Sequence, residues 1–113
     1  MILVLGGIAS GKRTYVASLG YDESQMSGSV GSDAPVLCDL QDVLRGGPLS
    51  HEELEAAARK DVVVCCEVGQ GVVPLDPQER AWRELVGRTC AQLARHARVV
   101  RMVCGIPVVI KEA

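Results

Sequence analysis

Residues 6–14 read GGIASGKRT and carry the residue types of a phosphate-binding loop. The usual pattern is G-x-x-x-x-G-K-[ST], in which glycines let backbone N–H groups cradle phosphate oxygens and the lysine reaches the outer phosphates. Gly6, Gly11 and Lys12 fit this pattern, and the apolar run before them is typical of a buried strand. The sequence therefore predicts a phosphate site formed by Gly6, Gly7, Ile8, Ala9, Ser10, Gly11, Lys12, Arg13 and Thr14. The alternative is a glycine-rich turn between a strand and a helix that binds nothing.

Arg13 departs from the pattern, since it stands where a serine or threonine hydroxyl normally binds Mg²⁺. Thr14 comes one residue too late to replace that hydroxyl, because one helical step rotates a side chain by about 100°. Two alternatives stay open for Arg13. It pairs with a phosphate directly, or it turns outward and leaves the metal to other groups.

Two carboxylates are candidates for holding Mg²⁺ through water. Asp39 ends the stretch VLCD, and Glu67 follows VVVCC. If both stretches are parallel strands, both acids lie at the carboxyl edge of the sheet, where ligands bind. Lys12, Asp39 and Glu67 are therefore the candidate catalytic residues. The alternative for each acid is a solvated residue at the end of a strand.

The elements around these residues predict an α/β fold with the three layers of a P-loop NTPase. Its sheet has about five strands, mostly parallel, with an antiparallel C-terminal edge strand. Apolar runs predict the strands at residues 2–5, 36–40, 62–66, 99–104 and 108–111. Helices are predicted at 11–19, after a capping box at Ser50 and Glu53, and after a second box at Asp76 and Glu79. Residues 21–34 show no period and predict a flexible loop.

Composition predicts one globular domain over residues 1–113 and argues against several function classes. A formal net charge of −2 gives no basic field for nucleic acid, and aromatic residues make up only 3% of the chain. The chain has no apolar run long enough to span a membrane and no basic start typical of a signal peptide, so we expect a cytoplasmic protein. The five cysteines lack metal-ligand spacing and are interpreted as small buried apolar residues.

Five blocks occur in an order that is typical of one family. They are GGIASGKR, VLCD, CEVGQGVVP at 66–74, RAWRELVGRTCA at 80–91, and VCGIPVVIK at 103–111. Together they resemble the bifunctional adenosylcobinamide kinase / adenosylcobinamide-phosphate guanylyltransferase family of cobalamin biosynthesis. The resemblance implies a P-loop fold that uses ATP or GTP, a corrinoid substrate, and assembly into a homo-oligomer. It also implies phosphorylation of a corrinoid hydroxyl, followed by GMP transfer through a covalent histidine intermediate.

The sequence departs from that family where the nucleotidylated histidine should be. Residues 21–34 replace the family's histidine-bearing segment, and the two histidines, His51 and His96, do not match its position. Cys66 replaces an asparagine, and the pair at 90–91 replaces Asn-Gln. We therefore expect at most the kinase step, with guanylyl transfer lost because its nucleophile is missing. The alternative is a non-catalytic protein that binds a nucleotide or corrinoid and acts through a partner.

Overall fold

The computed structural model describes residues 1–68 and 74–113, which form six strands and four α-helices. The strands are β1 (Ile2–Gly6), β2 (Met26–Ser27), β3 (Val36–Leu37), β4 (Val62–Cys66), β5 (Arg98–Val103) and β6 (Ile106–Lys111). The helices are α1 (Lys12–Ser18), α2 (Leu40–Val43), α3 (His51–Ala58) and α4 (Pro77–Ala94). Short 3₁₀ turns cover Glu23–Gln25 and Leu44–Gly46.

One sheet contains all six strands in the order β2-β3-β4-β1-β5-β6. Every neighbouring pair is parallel except β5 and β6, so the predicted mostly parallel α/β fold with an antiparallel edge strand is confirmed. β1 lies between β4 and β5, and its last residue, Gly6, is in register with Cys66 and Met102. The central strand β1 therefore ends at Gly6, the first residue of the phosphate-loop sequence.

The two faces of the sheet bury different sets of apolar side chains. Leu3, Val63 and Cys65 pack on the face that α3 and α4 cover. Val4, Val62 and Val64 pack on the other face, together with Val16 of α1. Strands buried on both faces need continuous apolar runs, which explains why ILVL and VVVCC do not alternate.

Two helix starts confirm their predicted caps, and one predicted contact is wrong. The Ser50 hydroxyl accepts from the N–H of Glu53, whose carboxylate accepts from the Ser50 N–H, and this forms the predicted capping box. Asp76 caps α4 by accepting from the N–H of Gln78. Glu79, however, does not complete a box there. Its carboxylate pairs with Arg45, because an arginine brought close by the fold offers two charge-assisted hydrogen bonds.

The prediction for residues 21–40 needs two corrections. The predicted loop at 21–34 contains β2, which pairs with β3 through two residues and is too short to show a period in the sequence. The strand predicted at 36–40 ends at Leu37, because Asp39 adopts a left-handed backbone conformation with φ of 57° and precedes α2. Aspartate is among the few residues that adopt this conformation readily. The glycine turn predicted at EVGQG falls partly on residues 69–73, outside the described residues.

The cysteines are less uniform than predicted, although all five are free thiols. Cys38 and Cys65 are buried, but Cys66 and Cys90 are only partly so, and Cys104 is exposed. A hydrogen bond with Cys90, together with burial, raises the pKa of the Cys65 thiol, which keeps it protonated and unreactive. Cys104 is exposed because it forms, with Gly105, the two-residue turn between β5 and β6.

Within residues 1–68 and 74–113, no helix has the length and apolar character needed to cross a membrane. The longest, α4, buries Val86, Thr89 and Leu93 on one side and exposes charged residues on the other. That pattern is typical of a helix that packs on a sheet.

We expect Leu3→Ala to lower the free energy of unfolding by about 2–5 kcal/mol, because it leaves a cavity at a fully buried position in the central strand. Ile110→Ala in β6 is the control, since Ile110 is 58% exposed, and its effect should stay within about 0.5 kcal/mol. Urea unfolding measures both values. Equal losses at the two positions would contradict the assignment of the core.

Candidate functional site

The phosphate-loop sequence forms a tight turn between β1 and α1. Ala9 and Gly11 both have positive φ, at 57° and 92°, and these left-handed positions bend the chain back over the end of β1. The Ser10 N–H donates to the Gly7 carbonyl at 3.3 Å, and the Tyr15 N–H donates to the Gly11 carbonyl at 2.9 Å. The glycine at position 11 is required in this turn, because a side chain would strain the conformation.

Two close approaches hold the loop against the rest of the sheet. A Cβ atom at Gly6 would lie 2.3 Å from the Ser10 hydroxyl and 3.0 Å from the Met102 carbonyl oxygen. A Cβ atom at Gly11 would lie 3.1 Å from the Cα of Gly105. The Gly105 N–H also donates to the Ser10 carbonyl at 2.9 Å. The turn of the β5–β6 hairpin therefore supports the loop from the side.

Gly105 is a contributor that reasoning on the residues alone missed. The block VCGIPVVIK was noticed as a family motif, but nothing in its spacing indicated a contact with residues 6–14. The structure supplies the reason for glycine at this position, since it has φ of 78° and its backbone touches the loop. The usable signal is the pair of residues between two apolar runs, which is typical of a tight hairpin.

A cavity of about 330 Å³ opens beside the loop. Its walls are Ile8, Ala9, Ser10, Gly11, Lys12, Arg13, Thr14, Asp39, Val64 and Cys66. Seven of the nine predicted binding residues thus border one cavity, whereas Gly6 and Gly7 form the backbone that leads into it. The charged side chains in its wall are two cations and one carboxylate, which leaves a positive balance for an anion.

Lys12 is the most enclosed charged side chain of this cavity, at 9% exposure. Its Nζ donates to the carbonyl oxygens of Gly6 at 3.2 Å and Gly7 at 2.6 Å. It also donates to the Cys66 sulfur at 3.4 Å. The ammonium group is thus held at the end of β1 by the loop and by Cys66, and Lys12 borders the cavity.

Cys66 reaches Lys12 because Gln41 fixes the end of β4. The Gln41 side-chain oxygen accepts from the Cys66 N–H at 2.9 Å, and its backbone oxygen accepts from the Trp82 indole N–H at 2.9 Å. The role of Gln41 could not be predicted from the sequence, because α2 is too short to show a pattern.

Arg13 pairs with Asp39, which neither of its two predicted alternatives described. The Nη2 of Arg13 donates to the Oδ2 of Asp39 at 2.8 Å, and the two side chains are 58% and 39% exposed. This hydrogen bond is the main reason that the pKa of Arg13 is raised above its ordinary value. The pair joins α1 to the residue that precedes α2, and both residues border the cavity.

The Glu67 side chain lies outside the loop cavity, although the Glu67 N–H donates to the Gly6 carbonyl at 2.9 Å. Its carboxylate accepts from the Nε of Arg101 at 2.8 Å and from its Nη2 at 3.2 Å. Successive residues of an extended chain point to opposite faces, so Glu67 turns towards the α4 face while Cys66 turns towards Lys12. Glu67 instead borders a second cavity with Arg83, Val86 and Cys90. The structure therefore brings Asp39 to Lys12 but does not bring Glu67 there.

This donor set does not fit the Mg²⁺ of a usual phosphate loop. A guanidinium stands in place of the hydroxyl, and one candidate carboxylate is bonded to that guanidinium. The other carboxylate is paired with Arg101 on the far face. Among residues 1–68 and 74–113, no cluster of three histidine, cysteine or acidic side chains is arranged to hold a metal ion.

The family model for cobinamide kinase / cobinamide phosphate guanyltransferase matches residues 49–110, which is more than half of the chain. The chain belongs to this family. The resemblance found from its sequence blocks is thus confirmed. Family membership carries a nucleotide-dependent, transferase-type function in cobalamin biosynthesis, in general terms. The comparison with curated proteins finds no match to the chain.

The matched region of this cobinamide kinase / guanyltransferase family member contains α3, β4, α4, β5 and β6. It includes Glu67 and the hairpin glycine Gly105, but it begins after the loop and after Asp39. The evidence for a role of residues 6–14 in binding therefore comes from their own sequence and geometry and not from the family match.

We expect Gly6→Ala to destabilise the chain by about 1–3 kcal/mol, because its Cβ would overlap Ser10 and press against the Met102 backbone. Gly7→Ala is the matched control, since no heavy atom lies within 4 Å of a Cβ there. Urea unfolding of the two variants checks this prediction. A loss at Gly7 as large as the loss at Gly6 would contradict the described fit of the loop.

Proposed function

We propose that this family member binds a nucleoside triphosphate, ATP or GTP, in the cavity beside residues 6–14. The observation that carries the proposal is the enclosed Lys12 ammonium, which the Gly6 and Gly7 carbonyls hold at the edge of that cavity. A point charge at the end of a glycine-rich loop is suited to phosphate oxygens. The position of the loop at the carboxyl end of the central strand supports the same site, since ligands of open parallel sheets bind there.

Phosphoryl transfer to a corrinoid hydroxyl is the most that we propose of the family's chemistry. In that step the hydroxyl oxygen bonds to the γ-phosphorus, the hydroxyl proton is released to solvent, and the bond to the departing nucleoside diphosphate breaks. The protein has to position both molecules and neutralise charge, and it needs no covalent nucleophile. Lys12 and Arg13 supply positive charge at the loop, and Asp39 is the acid that lies beside them.

Guanylyl transfer is not part of the proposal. His51 is the first residue of α3, its side chain is 85% exposed, and it pairs with Glu55 at 3.0 Å. His96 lies in the turn between α4 and β5. This turn is at the amino edge of the parallel strands, opposite the edge where the loop lies. Neither histidine borders the loop cavity, so neither is suited to form a bond with its nucleotide.

The second candidate function is a non-catalytic protein that binds the nucleotide or a corrinoid and acts through a partner. The contact between Arg13 and Asp39 favours it, because Asp39 is the acid that borders the cavity among the residues the structure describes. The two candidate functions are distinguished by the product, since only a kinase transfers a phosphoryl group to the corrinoid.

Replacing Lys12 tests nucleotide binding. We expect Lys12→Met to weaken ATP or GTP binding about tenfold or more, since a hydrogen bond to a charged group contributes about 1.5–3 kcal/mol. Isothermal titration calorimetry gives the affinity, and the change in thermal stability with ligand gives an independent check.

Lys60→Met is the matched control for this substitution. Its Nζ also donates to two backbone carbonyls, those of Ser32 and Ala34, but it lies outside the loop cavity. The control should keep the wild-type affinity. Equal weakening in both variants, or wild-type affinity in Lys12→Met, would rule out the proposed site.

Labelled nucleotides separate the family's two steps. With α-labelled GTP we expect no label to stay on the denatured protein, because the described site has no histidine nucleophile. With γ-labelled ATP or GTP and cobinamide, labelled cobinamide phosphate is expected if the kinase step is retained. Covalent label from the first reaction would contradict the loss of guanylyl transfer. A folded protein that binds nucleotide but yields no product in the second would establish the non-catalytic alternative.

A further inference from the structure

The two groups that a usual phosphate loop reserves for the metal are bonded to each other in this chain. Position 13 normally supplies a hydroxyl ligand, and an acid at the end of a neighbouring strand normally orients the metal's water. Here Arg13 donates to Asp39 at 2.8 Å, and both side chains border the loop cavity. The positive charge beside Asp39 is therefore the Arg13 guanidinium, a group of the protein itself.

The charge and geometry of Arg13 suit it to this position. A guanidinium is permanently charged and has five N–H donors in a planar fork that matches phosphate oxygens. Asp39 takes one of these donors through Nη2. A divalent cation placed there would be repelled by Arg13, and it would find the charge of Asp39 already neutralised.

We propose that the Arg13 guanidinium, held in place by Asp39, does the work of the Mg²⁺ and that the cavity binds a metal-free nucleoside triphosphate. This inference rests on the proposed function, since it requires that residues 6–14 bind a nucleotide. Arg13 keeps its hydrogen bond to Asp39 on one side and donates to phosphate oxygens on the other. Lys12 binds the same phosphates from the end of β1.

A second arginine–carboxylate pair of similar exposure lies away from the loop cavity. Arg45 pairs with Glu79, and their side chains are 48% and 41% exposed, close to the values for Arg13 and Asp39. Arg45 lies over the Trp82 ring and borders a different cavity. The two pairs are thus similar in exposure and differ in position, so Arg45 provides the matched control.

The test compares ATP and GTP affinities in EDTA and in Mg²⁺ by calorimetry. For the wild type we expect an affinity in EDTA at least equal to that in Mg²⁺. Arg13→Ser removes the guanidinium, restores the hydroxyl and releases Asp39. In EDTA we expect this variant to bind the nucleotide about tenfold more weakly than the wild type does, because one charge-assisted hydrogen bond is lost. When Mg²⁺ is added, its affinity for the nucleotide should recover. Arg45→Ser should behave like the wild type.

Each outcome separates this inference from the proposed function. Wild-type binding that requires Mg²⁺ overturns the inference and leaves the nucleotide site in place. Wild-type protein that binds in neither condition overturns the proposed function, and the inference with it. A folded Arg13→Ser variant whose nucleotide affinity in EDTA equals that of the wild type in EDTA shows that Arg13 does not substitute for the metal cation. Circular dichroism checks folding. If Arg13→Ser does not fold, Arg13→Gln replaces it, with the expected loss of binding in EDTA and no recovery in Mg²⁺.

Discussion

The parallel pairing of β1 with β4 on one side and β5 on the other is the constraint on which the site depends. It places Gly6 in register with Cys66 and Met102, so the loop starts at the centre of the carboxyl edge. Lys12 can then reach the Gly6 and Gly7 carbonyls and the Cys66 sulfur at once. A shift of one residue in the β1–β4 pairing would turn Cys66 to the other face and remove one of these three partners.

The same edge of the sheet explains why the two acids have different surroundings. Cys38 precedes Asp39 and packs with the α1 face, and Asp39 adopts a left-handed conformation that leaves it within reach of Arg13. Glu67 extends β4 by one residue and follows the alternation of the strand to the α4 face, where Arg101 binds it. Two acids that look equivalent along the chain thus have different arginine partners and border different cavities.

Backbone contact between the loop and the β5–β6 hairpin links the two ends of the chain. The Gly105 N–H binds the Ser10 carbonyl, and the space at Gly11 is limited by Gly105 itself. The hairpin lies in the region that matches the cobinamide kinase / guanyltransferase family, whereas the loop lies before it. The physical reason for a glycine in this C-terminal block is the φ of 78° at Gly105, since a side chain would strain that conformation, and no heavy atom of the described residues lies within 4 Å of a Cβ built there.

The sequence by itself determined the strands that are buried on both faces, the order of the longer strands and helices without β2 and α2, and two helix caps. These features depend on local patterns: continuous apolar runs, a serine three residues before a glutamate, and an aspartate before a proline. The glycines and the lysine of the loop were also readable, because their spacing is short and has a direct backbone function.

Only the tertiary structure decided which charged groups meet. Asp39 is 26 residues from Arg13, and Arg101 is 34 residues from Glu67, so no local pattern could pair them. β2 was missed for the same reason, since two residues acquire a strand conformation only by pairing with β3. Pairing between charges depends on distance in space, and that distance is set when the sheet forms. Arg13 departs from the phosphate-loop pattern in the sequence, and only the fold brings it to Asp39, the contact on which its proposed role depends.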